Sequence, residues 1–182
     1  LPSARGQGEP ASGKLNLPAG ATLTGMIMGE DDKEVFVGTS AGYGFRTTIT
    51  DLHTKNKAGK SVVKISPYAQ VVQPKLIYDD NSLIVAVSNE GRMLVFDIFN
   101  VPKLAKGKGN KIINIPSARL KRGEEWVVDY AIVGQGTSLL VYSGKRYLSL
   151  KYGDLEHYIG ERGRRGHKLP RGFQRVDYLK SE

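Results

Sequence analysis

One pattern recurs along this chain: an apolar β-rich run, a tight corner, a second β-rich run, and then a loop in which glycines separate lysines or arginines. The first complete round reads Glu34-Val-Phe-Val-Gly-Thr-Ser40, a corner at Ala41-Gly42, and Tyr43-Gly-Phe-Arg-Thr-Thr-Ile49. The second has Pro74-Lys-Leu-Ile-Tyr78, a turn at Asp79-Asp-Asn-Ser82, Leu83-Ile-Val-Ala-Val-Ser88, a corner at Asn89-Glu-Gly91, and Arg92-Met-Leu-Val-Phe-Asp-Ile98. The third has Val127-Val-Asp-Tyr-Ala-Ile-Val133, Thr137-Ser-Leu-Leu-Val-Tyr-Ser143, a corner at Gly144, and Lys145-Arg-Tyr-Leu-Ser-Leu150. Val, Ile, Thr and aromatic side chains fit a pleated surface, and glycine takes the positive φ that hairpin corners demand. A period of roughly fifty residues signals a repeat architecture. It predicts an all-β, propeller-like array of four-stranded blades, partial, with about three to four blades.

On this reading residues 1–182 form one domain. Its approximate units are 1–20 (partial), 21–66, 67–116 and 117–182. Thr22 to Met28, Val62-Val-Lys-Ile65 and Ile112-Ile-Asn-Ile115 read as further strands. Leu1 to Arg5 enter a unit partway and no Met opens the chain, so it reads as a piece of a longer protein.

The basic loops are Arg5 to Lys14, Lys55 to Lys60, Lys106-Gly-Lys-Gly-Asn-Lys111 and Arg162-Gly-Arg-Arg-Gly-His-Lys168. Net charge is +9, and it is concentrated: Lys103 to Arg122 carries seven Lys/Arg and no acid. Gly160 to Lys180 carries seven more against Glu161 and Asp177. The rest of the chain is therefore slightly acidic. Two such runs at equivalent points of a repeat point to a polyanion surface, with nucleic acid the usual partner. The candidate phosphate contacts are Lys103, Lys106, Lys108, Lys111, Arg119, Lys121 and Arg122 on one edge, and Arg162, Arg164, Arg165, Lys168 and Arg171 on the next. Lys55, Lys57 and Lys60 form a weaker third group.

Other chemistry has little support. There are no cysteines, which excludes disulfides and thiolate metal sites and makes a reducing cytoplasm the natural compartment. His53, His157 and His167 lack metal-type spacing. Asp31-Asp32 and Asp79-Asp80 sit at turns that favour Asp for local backbone bonding. No Walker-type phosphate loop occurs, and no nucleophile, base and orienting group converge. Trp126, Tyr43, Tyr130 and Tyr147 lie in or beside apolar strands, which predicts core packing for them.

Five stretches together resemble a known family. They are Ser3-Ala-Arg-Gly-Gln-Gly-Glu-Pro10, Ser40-Ala-Gly-Tyr-Gly-Phe45, Asn56-Lys-Ala-Gly-Lys60, Lys106-Gly-Lys-Gly-Asn-Lys-Ile-Ile-Asn-Ile-Pro-Ser-Ala118 and Gly160-Glu-Arg-Gly-Arg-Arg-Gly166. The family is the C-terminal domain of the A subunit of bacterial type IIA topoisomerases, and the topoisomerase IV type is the nearer of its two branches. The resemblance implies a β-pinwheel of five or six blades, with strands exchanged between neighbours and double-stranded DNA bent around the basic rim. It implies no catalytic residue here. ATP and magnesium would be bound elsewhere, and the topoisomerase IV B subunit, together with a second copy of the A subunit, would be met through regions outside this chain. It also implies a bacterial, nucleoid-associated setting. The gyrase branch carries a Gln-Arg-Arg-Gly-Gly-Lys-Gly box, which neither Lys106 to Gly109 nor Arg162 to Gly166 completes. The alternative from another class is a propeller-type protein-interaction module whose basic edge meets an acidic surface.

Overall fold

The computed structural model describes residues 26–55, 60–78 and 81–182. The first basic loop, Lys57 and the Asp79-Asp80 turn lie outside them. Three antiparallel sheets organise the described residues. The first has the order β3 (Lys75–Ile77), β1 (Glu34–Gly38), β2 (Tyr43–Thr48), β6 (Asn110–Lys111). The second runs β7 (Val127–Val133), β4 (Leu83–Ser88), β5 (Arg92–Asp97), β10 (His167–Lys168). The third has β11 (Tyr178–Ser181), β8 (Leu139–Ser143) and β9 (Arg146–Leu150). Each central hairpin turns at a glycine of positive φ, namely Gly42, Gly91 and Gly144. The remaining regular structure is short helical turns such as Ser117–Lys121 and Tyr152–Tyr158.

β4 shows why these sheets stack. All of Ile84, Val85, Ala86 and Val87 are buried, although alternate side chains of a strand point to opposite faces. Ile84 and Ala86 join Phe36 and Ile77 of the first sheet in one core. Val85 and Val87 join Leu139, Val141 and Leu179 of the third in another. Burying one such side chain contributes about 1.5–3 kcal/mol, so the middle sheet gains on both faces only while both neighbours are in place. Polar groups also reinforce the stack. Asp129 on β7 accepts from the Leu179 amide at 3.0 Å, and the Lys75 ammonium lies 3.3 Å from its other oxygen. One buried carboxylate thus ties β3, β7 and β11, one strand from each sheet.

Five sequence expectations need correction. The runs Pro74 to Tyr78 and Val127 to Val133, read as opening the second and third rounds, supply β3 and β7, which pair with β1 and β4 of the sheet before. Val62 to Ile65 forms no strand; Val63 makes only an isolated parallel bridge with Gly107. Ile112 to Ile115 leaves the ladder because the amides of Ile112 and Ile113 both converge on the Gly42 carbonyl, at 2.6 and 3.3 Å. That bend turns Ile112, Ile113 and Ile115 into the core between the sheets. Met26 to Met28 is also outside any strand, with Met26 and Met28 exposed. Finally, Trp126 and Tyr147 are not core residues: they are 39% and 62% exposed, whereas Tyr130 is fully buried.

Candidate nucleic-acid interface

The two basic boxes complete their neighbours' sheets. In the first, the chain follows β2 through a parallel bridge between Arg46 and Lys103, then returns as the antiparallel rung Tyr43↔Lys111, Gly44↔Asn110. In the second, a parallel bridge between Val95 and Ile159 precedes the rung Met93↔His167, Arg92↔Lys168. Glycine makes the approach possible. Gly109 has φ +77°, and a Cβ there would lie 2.0 Å from the Gly44 carbonyl oxygen. Gly166 repeats this with φ +75° and the Met93 oxygen at 2.6 Å.

The boxes are also stapled to one another. Gly107 donates to the Val62 carbonyl and accepts from Lys64, both at 2.8 Å, which fixes the stretch after Lys60 against the Lys106 box. The Lys106 box then meets the Arg162 box: Gly163 N–H donates to Ile112 O at 2.8 Å, and Asn114 N–H to Arg164 O at 2.9 Å. Side chains add to the seam, with Arg162 donating to Lys111 O at 3.1 Å and Arg165 to Asn114 O at 2.8 Å. Three basic segments distant in sequence therefore form one continuous line of backbone.

The predicted cations among the described residues divide into two sets. Lys103 pairs with Glu34 at 3.0 Å, Arg122 with Glu124 at 3.0 Å and Arg164 with Glu161 at 3.0 Å. Arg119 is held by Glu90, Glu124 and Glu125. Arg165 reaches the carboxylate of Glu125 at 3.0 Å, and that carboxylate is fully buried. The other set keeps its charge available. Lys55, Lys106, Lys121, Lys168 and Arg171 are exposed. Lys108 lies 4.1 Å above the Tyr43 ring. Lys111 makes a long 3.4 Å contact to the Asn114 side chain, and Lys60 donates to the Asp51 carbonyl at 2.6 Å. Lys64 was not anticipated as part of this line, because its setting in Val62 to Ile65 reads as strand rather than as loop.

Glu34 shows how the paired set is held. Burial pushes its carboxyl up, but the hydrogen bond from Lys103 and the charges of Arg46 and Lys103 outweigh that and hold it below its ordinary value of 4.5. Arg46 itself is nearly buried; it donates to Glu34 at 3.1 Å and to Val101 O at 2.9 Å. These arginines and carboxylates bind segments of the chain to each other.

A family model described as DNA gyrase C-terminal domain, beta-propeller, matches residues 33–77 and 82–132. The chain belongs to this family. Within the gyrase C-terminal domain family it is similar along nearly its whole length to the DNA topoisomerase 4 A subunit of Pseudomonas aeruginosa, with 51% identity over 98% of this chain and 24% of that protein. The corresponding topoisomerase 4 protein of Escherichia coli K12 is 46% identical over 97% of this chain and 23% of its own length. The chain thus spans about a quarter of the curated relatives it matches. Among solved structures, that of the E. coli ParC C-terminal domain superposes with a TM-score of 0.85 at 46% identity, covering all of this chain and 74% of the other. The gyrase A C-terminal domain, at 18% identity and a TM-score of 0.73, shares the fold over 93% of this chain and 57% of its own. Family membership places the strand exchange in context: it is the propeller-like architecture, with each basic box closing the sheet before it.

Proposed function

We propose that the chain is a non-catalytic DNA-binding and DNA-bending domain from the A subunit of a bacterial topoisomerase IV. The observation that carries this reading is the stapled line of basic segments from Lys60 through Lys106–Lys111 to Arg162–Lys168. A duplex laid along it meets phosphate contacts at Lys55, Lys106, Lys108, Lys111, Lys121, Arg162, Lys168 and Arg171. Such contacts position DNA without reading bases, so low sequence specificity follows. A line that crosses from one sheet to the next also curves the path of a duplex that stays on it. In the whole enzyme this domain would present a bent segment for ATP-dependent strand passage, which relaxes supercoils and unlinks chromosomes. ATP and magnesium would be handled by other domains and the B subunit, and the working compartment would be the nucleoid-containing cytoplasm.

The test is bending, read by energy transfer between dyes at the ends of a short duplex. The variant Lys106→Ala/Lys108→Ala/Lys111→Ala leaves Arg119 and Arg165 on Glu125, so the fold is kept. It is expected to lose most of the bending signal. Unchanged bending would place the DNA on another surface.

A further inference from the structure

Beside the Lys106 box lies a cavity of about 770 Å³, lined among others by Tyr43, Tyr68, Lys108, Lys111 and Lys121, with no acidic residue among the described residues of its wall. Its two tyrosines differ. Tyr43 is half-buried and its ring carries Lys108 at 4.1 Å, with Lys111 at 5.9 Å, so it serves to hold the cations. Tyr68 is 66% exposed, with the Lys121 ammonium 6.0 Å from its ring centre.

The backbone of Tyr68 is also unusual. Its φ is +66°, the only such value at a non-glycine among the described residues. It occupies the third position of a turn closed by Ala69 N–H to Ser66 O at 3.2 Å, with Pro67 at the second position. That position ordinarily takes Gly or Asn, because a Cβ there crowds the backbone. Packing does not account for the tyrosine, since its ring faces solvent in a cationic cavity. Strain kept at an exposed aromatic points to a ligand.

We propose that this cavity binds a nucleotide of unpaired DNA, with its base on the open face of Tyr68 and its phosphates on Lys108, Lys111 and Lys121. The inference rests on the reading of the edge as a DNA surface but goes beyond it. Stacked bases of a duplex offer no free ring face, whereas an unpaired base does, and aromatic platforms in basic grooves recognise it without regard to sequence. Trp126 supplies a reporter. It is the single tryptophan of the chain and shares an adjoining cavity of about 290 Å³ with Tyr68.

The experiment compares a twelve-nucleotide oligothymidine with an abasic deoxyribose-phosphate strand of equal length, and with a duplex, by anisotropy and Trp126 emission. The 182-residue chain is expected to bind oligothymidine at least about fivefold more tightly than the abasic strand, with a change in Trp126 emission. Tyr68→Ala and the strain-relieving Tyr68→Gly should both abolish that preference and leave duplex affinity within about twofold. Lys108→Ala/Lys121→Ala should weaken both single strands alike. Equal binding of oligothymidine and abasic strand by the unmodified chain, with duplex binding intact, overturns the inference alone. Loss of duplex binding as well overturns the reading of the edge. A polyglutamate peptide bound in a Tyr68-dependent way, with oligothymidine ignored, would assign the cavity to acidic protein segments instead.

Discussion

Glu125 is the residue on which the basic edge most depends. Its carboxylate is fully buried between Arg119 at 3.6 Å and Arg165 at 3.0 Å, an ion contact that lacks hydrogen-bond alignment. Removing it takes this carboxylate from Arg165 and leaves Arg119 with Glu90 and Glu124; because both guanidiniums are about a third exposed, the cost is about 1–3 kcal/mol, less than for a wholly buried pair. Glu125→Ala is therefore expected to lower unfolding stability by that order in urea titrations. A loss below about 1 kcal/mol would mean that the arginines find other partners. Tyr130 gives a milder case. Its hydroxyl donates to Thr39 O at 2.7 Å, but that oxygen also accepts from Gly42, so Tyr130→Phe should cost only about 0.5–1.5 kcal/mol. Glu34 supplies a pH dependence. Its folded pKa lies below the unfolded value of 4.5, so its pairing stabilises the fold above that pH and is lost as pH falls through the folded value. Glu34→Gln should start less stable at neutral pH and lose less on acidification, as thermal melts across that range would reveal. A parallel loss in both proteins would mean that Glu34 does not set the acid response.

At the scale of elements, Gly109 tests strand exchange. A Cβ there would meet the Gly44 carbonyl oxygen at 2.0 Å in a backbone region that disfavours side chains, so Gly109→Ala should detach β6 from β2 and cost more than about 2 kcal/mol. Gly107 has φ +136° but no neighbour within 4 Å of an added Cβ, so an alanine there meets backbone strain without the clash. A Gly109→Ala variant as stable as the parent would show that β6 is not needed. The central hairpins were legible in the sequence because each has two β-rich runs and a glycine corner in one local stretch. The outer strands were not. β6 and β10 are two residues long, and what makes them strands is the edge of β2 or β5, far away in sequence. β11, Tyr178–Ser181, follows no apolar alternation either and is specified by its pairing with β8. Ile112 to Ile115 failed in the opposite sense: its composition suits a strand, but the bend at the Gly42 carbonyl sends it into the core.

For the whole molecule, the sequence showed where positive charge accumulates but not which charges are already matched. Lys103 to Arg122 contains no acid, yet Lys103, Arg119 and Arg122 are paired with carboxylates from Glu34, Glu90, Glu124 and Glu125 outside that stretch. Pairing across the fold thins the edge to the cations that remain open, chiefly Lys106, Lys108, Lys111, Lys121, Arg162, Lys168 and Arg171. On the proposed reading these form one continuous surface for duplex phosphates. Each phosphate neutralised on a duplex adds about −0.9 to the slope of log affinity against log salt. Six to eight contacts therefore predict a slope of about −5 to −7 for generic duplex DNA in a salt titration of the chain. A slope near −1 would mean that the stapled basic line is not the surface on which DNA rests.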